Sequence, residues 1–128
     1  MKRFIRTAFA TALTFAPLAN IAIAGGPEKV IIRFKVHCQP GKSGPLVAAF
    51  QEVIAASRPL KGVVSFDIGR DLSDPDTFIA TEVFEDNDAL ARQDALPEVS
   101  KTMGILGGVA TETPEATIYE VSSSRPAM

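Results

Sequence analysis

No tryptophan occurs in this chain, and tyrosine, histidine and cysteine occur once each, as Tyr119, His37 and Cys38. A lone cysteine has no intramolecular disulfide partner, which leaves Cys38 as a small buried hydrophobe, a reactive thiol or an intermolecular link. One histidine supports neither a His/Cys zinc constellation nor a Ser-His-Asp triad unless His37 carries it. A Gly-rich phosphate loop is missing too. Gly104, Gly107 and Gly108 follow a helical segment and read as its termination. There is no Lys/Arg cluster and no aromatic series interleaved with one, so nothing resembles a nucleic-acid footprint.

The beginning of the chain reads as an export leader, residues 1–24. Lys2, Arg3 and Arg6 form a positive n-region, an apolar stretch runs from Thr7 through Ile23, and Ala22-Ile23-Ala24 is a small-x-small cleavage pattern. Pro17 and Asn20 interrupt the apolar run, whereas a spanning helix needs about 20 continuous apolar residues. Cleavage, giving a periplasmic or secreted protein free of the membrane, is therefore expected over anchoring. Gly25 would become the first residue. Loss of three cations takes the formal charge from −2 to −5, an acidic balance for the single domain expected over residues 25–121.

Within that domain the apolar period switches repeatedly. From Val30 to His37, Ile32, Phe34 and Val36 alternate with Ile31, Arg33, Lys35 and His37, the period of a strand. After the Pro40-Gly41 break, Ser43 or Gly44 can cap a helix with Pro45 in its first turn, and Leu46, Ala49, Phe50, Val53, Ile54 and Ser57 form one stripe. A second strand follows, with Val64, Phe66 and Ile68 opposite Val63, Ser65 and Asp67. The turn formers of residues 71–76 lead into a third strand with Phe78, Ala80, Glu82 and Phe84 on one face. Asp86 caps a helix carrying Leu90 and Gln93, Pro97 opens another with Val99, Met103 and Leu106, and Ala116 to Val121 is the last strand. Residues 122–128 read as a disordered tail.

Strand, helix, strand, strand, helix, strand is an α+β, ferredoxin-like split β-α-β sandwich, an antiparallel sheet with helices on one face. The other face, with Ile31, Val63, Ile79 and Val83 among polar neighbours, is too apolar for water alone. A second copy is the expected cover, giving a homodimer.

Ser57-Arg58, Gly62, Ser65-Phe66-Asp67, Arg70-Asp71, Asp74-Pro75, Phe78, Glu82-Val83-Phe84, Asp86, Ala89-Leu90 and Pro97, in this order and spacing, resemble the antibiotic biosynthesis monooxygenase domain, the family of small quinol monooxygenases. The resemblance covers roughly residues 30–121. It implies a dimeric α+β barrel and oxidation of a small aromatic reductant by O2 without a metal or organic cofactor. Departures from the family pattern fall at Phe84, where many members have Trp, and at Gln93 and Glu98, where many have His. The haem-degrading branch has an Asn on the first strand, and the nearest residue here is Phe34.

Side-chain direction outlines a candidate pocket for a small aromatic ligand. Phe34, Phe66, Glu82 and Phe84 share the helix-facing side of the sheet, and Gln93 turns toward the same space. Each phenylalanine taken alone reads as core rather than as a ligand contact. A carboxylate on that face costs free energy unless it is paired or protonated, so Glu82 is either the partner of an arginine such as Arg92 or Arg70, or a base raised in pKa. Two functions remain open. One is a cofactor-independent monooxygenase acting on a small quinol or polycyclic phenol, with Glu82 as base and Gln93 bonding a substrate oxygen. The other is a non-catalytic dimer that binds an apolar aromatic ligand.

Overall fold

A computed structural model describes residues 28–128, so the expected leader lies outside the described residues. Four strands form one open antiparallel sheet in the order β2-β3-β1-β4, with β1 at Lys29–His37, β2 at Val63–Asp71, β3 at Asp74–Phe84 and β4 at Glu115–Val121. The helices are α1 (Gly44–Ser57), α2 (Asn87–Asp94) and α3 (Pro97–Val109). The core gathers Val30, Val36, Phe66, Phe78 and Phe84 from the sheet with Leu46, Phe50, Val53, Leu90 and Leu106 from the helices. This is the expected ferredoxin-like α+β fold. No described helix is long and apolar enough to cross a membrane.

The β1–β3 register pairs Val30 with Phe84, Ile32 with Glu82, Phe34 with Ala80 and Val36 with Phe78, so these eight side chains share the core-facing side. The β2–β3 ladder shifts register at both ends, between Val63 and Ser65 and between Arg70 and Asp71. Val63 pairs with Phe84 and Ser65 with Val83, a bulge that turns Val63 toward the core and leaves Val64 51% exposed. The expectation that Val63 belongs to the outer face is thereby corrected, because one extra residue reverses the parity of everything before it. The β2–β3 turn is shorter than its composition implies. Asp71 pairs with Asp74, leaving only Leu72 and Ser73 between, and Asp71 Oδ1 accepts from the Ser73 backbone N–H and hydroxyl.

Ser43 precedes α1 but makes no side-chain capping bond, and Pro45 alone marks the start. At the other end Arg58 donates to the Phe66 carbonyl at 3.1 Å and to Asp67 at 2.9 Å, tying α1 to β2. Asp86 caps α2 as expected, Oδ1 accepting from the Ala89 N–H at 2.8 Å. Gly104, Gly107 and Gly108 lie inside α3 rather than ending it; the helix runs on to Val109 before Ala110 bridges to Cys38. In residues 122–128, Ser124 donates to Glu28 at 2.8 Å, and no helix or strand follows β4.

Candidate functional site

Three strands set the position of Glu82. Its register neighbours are Ile32 on β1 and Phe66 on β2, so the carboxyl rises from the middle of the sheet between two apolar side chains. It faces a cavity of about 230 Å³ between the sheet and the helices. Ile32, Phe34, Phe66, Ile68 and Ala80 form the floor, Ala116 stands at the β4 side, and Phe50, Val53, Val99, Met103 and Leu106 come from α1 and α3. Gln93, Asp94 and Thr102 complete the wall.

Phe34, Phe66, Glu82 and Gln93 are thus brought together around one space. Phe84 is not. Its ring is 0% exposed within the core and lines no part of the cavity, which corrects its expected place in the pocket. At the next residue, Glu85, the N–H bonds the Gly62 carbonyl at 2.8 Å, and Phe84 packs in the core with Ala89 and Leu90 of α2.

Neither expected arginine reaches Glu82. Arg92 donates to the Lys61 carbonyl at 3.0 Å, while Arg70 donates to the Pro75 carbonyl at 2.7 Å and lies over the Phe78 ring. Among the described residues no hydrogen bond or ion pair reaches the Glu82 carboxyl. Burial, followed by the nearby Asp94 charge, pushes it up from 4.5 to about 7. Asp94, the last residue of α2, is raised as well by partial desolvation, although the residue remains exposed. Sequence reading missed this second carboxyl. Its adjacency to Gln93 at a helix end was the available signal; the residue stays exposed, so it lines the cavity at its solvent-facing rim.

The backbone that holds α2 in place depends on Gly62. Its φ is +87°, and a Cβ there would meet the Ala89 Cβ at 2.6 Å. Only glycine allows both the turn and this close approach of α2. Gln93, 3% exposed, donates from Nε2 to Ser57 Oγ at 3.2 Å, so its amide is fixed between α1 and the cavity. Thr102 donates its hydroxyl to the Glu98 carbonyl at 2.8 Å.

His37 stands apart from the cavity. Its Nδ1 lies 2.8 Å from Thr77 Oγ1 and 3.0 Å from Asp74 Oδ2, and Thr77 donates to the same carboxylate at 2.7 Å. The threonine hydroxyl, foremost, holds the Asp74 carboxyl below its ordinary range. This cluster pins the end of β1 to β3. Cys38 is fully buried, and burial pushes its thiol up, away from the reactive thiolate. Among the described residues, no group of three or more His, Cys, Asp or Glu side chains is placed to hold a metal ion.

The sequence model of the antibiotic biosynthesis monooxygenase family matches residues 29–103. No curated protein matches the chain. Among solved structures, a candidate antibiotic biosynthesis monooxygenase from Deinococcus radiodurans is similar at 24% identity and a TM-score of 0.69, covering 77% of this chain and 98% of its own. Another from Nitrosomonas europaea has 16% identity and a TM-score of 0.68, with 73% and 90% covered. A conserved protein from Methanosarcina mazei has 14% identity and a TM-score of 0.68, with 78% and 98% covered. At these identities the likeness to solved structures speaks for the fold.

Proposed function

The chain belongs to the antibiotic biosynthesis monooxygenase family, and from that premise we propose that its cavity holds a small quinol or polycyclic phenol and directs its oxidation by O2. The observation that carries this reading is Glu82, a carboxyl without a partner in an apolar cavity and titrating near neutral pH. Such a group is suited to take a phenolic proton. The phenolate passes one electron to O2, the ring radical and superoxide combine in a new C–O bond, and the resulting peroxide loses water. One oxygen atom remains in the quinone product and the other leaves as water, the substrate supplying the electrons. The apolar floor and walls hold the ring in one orientation against Glu82.

The test is oxygen uptake by purified protein with simple hydroquinones, read against the autoxidation blank. Glu82→Gln should lower the rate by about 10²–10⁴, the usual contribution of a general base. A second reading, a non-catalytic aromatic-binding dimer, is favoured by Gln93, whose amide nitrogen is already engaged by Ser57. Binding without uptake above the blank would select it.

In the same proposal the protein is exported and acts as a homodimer. The outer sheet face supports the pairing: Tyr119, Ile31 and Val83 lie side by side across β4, β1 and β3, and Tyr119 is 49% exposed. Export rests on Lys2, Arg3, Arg6 and Ala22-Ile23-Ala24. N-terminal sequencing of the exported protein should begin at or near Gly25; recovery of intact precursor as the main species would contradict it.

A further inference from the structure

The polar side chains lining the cavity are Glu82, Gln93, Asp94 and Thr102, so the only groups there that can carry charge are carboxyls. Glu82 and Asp94 bring carboxyl oxygens from β3 and the end of α2. Gln93 turns its amide nitrogen to Ser57, leaving its carbonyl oxygen free. Thr102 gives its hydroxyl proton to the Glu98 carbonyl, which leaves an oxygen lone pair.

No lysine, arginine or histidine is among the residues lining the cavity, on any element packed against it. The nearest arginine on α2, Arg92, is held at the Lys61 carbonyl. Asp94 is the last residue of α2, where the negative end of the helix dipole adds to its charge. A site lined by two carboxyls and no cation disfavours an anionic group by charge repulsion once those carboxyls ionise.

We propose that the cavity selects aromatic ligands carrying an amino or other cationic donor group, with Asp94 as the anchor for that group beside Glu82. This deepens the reading of the cavity as a ligand site: the oxidisable ring lies on the Phe34 and Phe66 floor, and the ammonium binds between the two carboxyls. A cation there replaces the proton that Glu82 otherwise retains. Affinity for it therefore rises with pH through the Glu82 transition and levels off above it, until the amine itself loses its proton.

Three bicyclic probes of one shape and different charge test this directly: naphthylmethylamine, naphthol and naphthoic acid, titrated calorimetrically against the wild-type chain at low and high salt. The amine should bind at least about tenfold more tightly than the acid, a difference of about 1.4 kcal/mol, and the gap should narrow with salt. Asp94→Asn should erase most of the amine's advantage over naphthol while the melting temperature holds. Equal or tighter binding of naphthoic acid, an unchanged preference in Asp94→Asn, or no binding by any probe would each overturn the proposal. The outcomes separate from those of the oxidation reading. Charge selection without oxygen uptake retains the anchor and removes the monooxygenase; uptake with no charge selection does the reverse.

Discussion

At Glu82, two demands on one carboxyl oppose each other. Taking a phenolic proton requires ionisation, while the apolar surroundings favour the protonated form. The folded value of about 7 against an unfolded value near 4.5 means that the folded chain holds this proton more tightly. The contribution of Glu82 to stability should therefore be greatest below about pH 4.5, fall as pH rises to about 7, and stay level above that, while the lowered Asp74 carboxyl acts in the opposite sense at acid pH. Asp94 shifts in the same direction as Glu82. Glu82→Gln removes this slope, and because no arginine loses a partner, it should melt higher than wild type at pH 8, by about 2–3 kcal/mol in stability. Urea unfolding of both proteins across pH 4–8 measures it; parallel curves would show that Glu82 does not titrate on folding. Gly62 bears on the same site through the backbone. Gly62→Ala combines a left-handed backbone with a 2.6 Å overlap on Ala89 and should cost roughly 2–3 kcal/mol in the same experiment.

Among the elements, α3 is the one whose sequence conflicts with its conformation. It carries Gly104, Gly107 and Gly108 within thirteen residues, and a Cβ built at any of them meets nothing within 4 Å. Packing does not require these glycines, and each lowers helix stability by about 0.5–1 kcal/mol relative to alanine. α3 also supplies Val99, Thr102, Met103 and Leu106 to the cavity, so the least stable helix sequence covers the candidate site. Gly107→Ala with Gly108→Ala should raise stability by about 1–2 kcal/mol and strengthen amide-exchange protection in α3. Unaltered exchange there would mean that the helix is already held by its packing on α1. The three glycines read from sequence as a helix end because glycine usually marks one, and the true end at Ala110 depends on a bridge to Cys38 across the fold.

At the scale of the whole fold, the sheet has helices on one face only among the described residues. The other face presents the row Tyr119, Ile31 and Val83, with Ile79 further along β3. Apolar contiguity of this kind on a small domain is a common mark of association, and a twofold pairing of identical faces is the simplest closed arrangement. Val83→Lys places a charge in the middle of the row. It should shift the protein from dimer to monomer in sedimentation at micromolar concentration while leaving the helix-side core intact. A wild-type chain that sediments as a monomer at that concentration would contradict the pairing.

Much of this protein was determined by the sequence alone, wherever backbone period and neighbouring residues decide. Strand alternation put Glu82 on the helix-facing side, Asp86 capped α2 through a contact three residues away, and the order of elements defined the split β-α-β topology. What lay beyond it depended on groups distant in the chain. Only the tertiary structure decided that Arg70 and Arg92 bond backbone carbonyls instead of Glu82, that Phe84 closes the core rather than the cavity, and that Asp94 joins Glu82 across the space between α2 and β3. A single bulge reversed the parity of Val63 and Val64, which no pattern of apolar residues signals when both are valine. The physical reason is common to all four. Alternation and capping are local and repeat along the chain, whereas the partner of a buried charge is selected by the register of strands and the docking of helices, which bring residues tens of positions apart within a few ångströms.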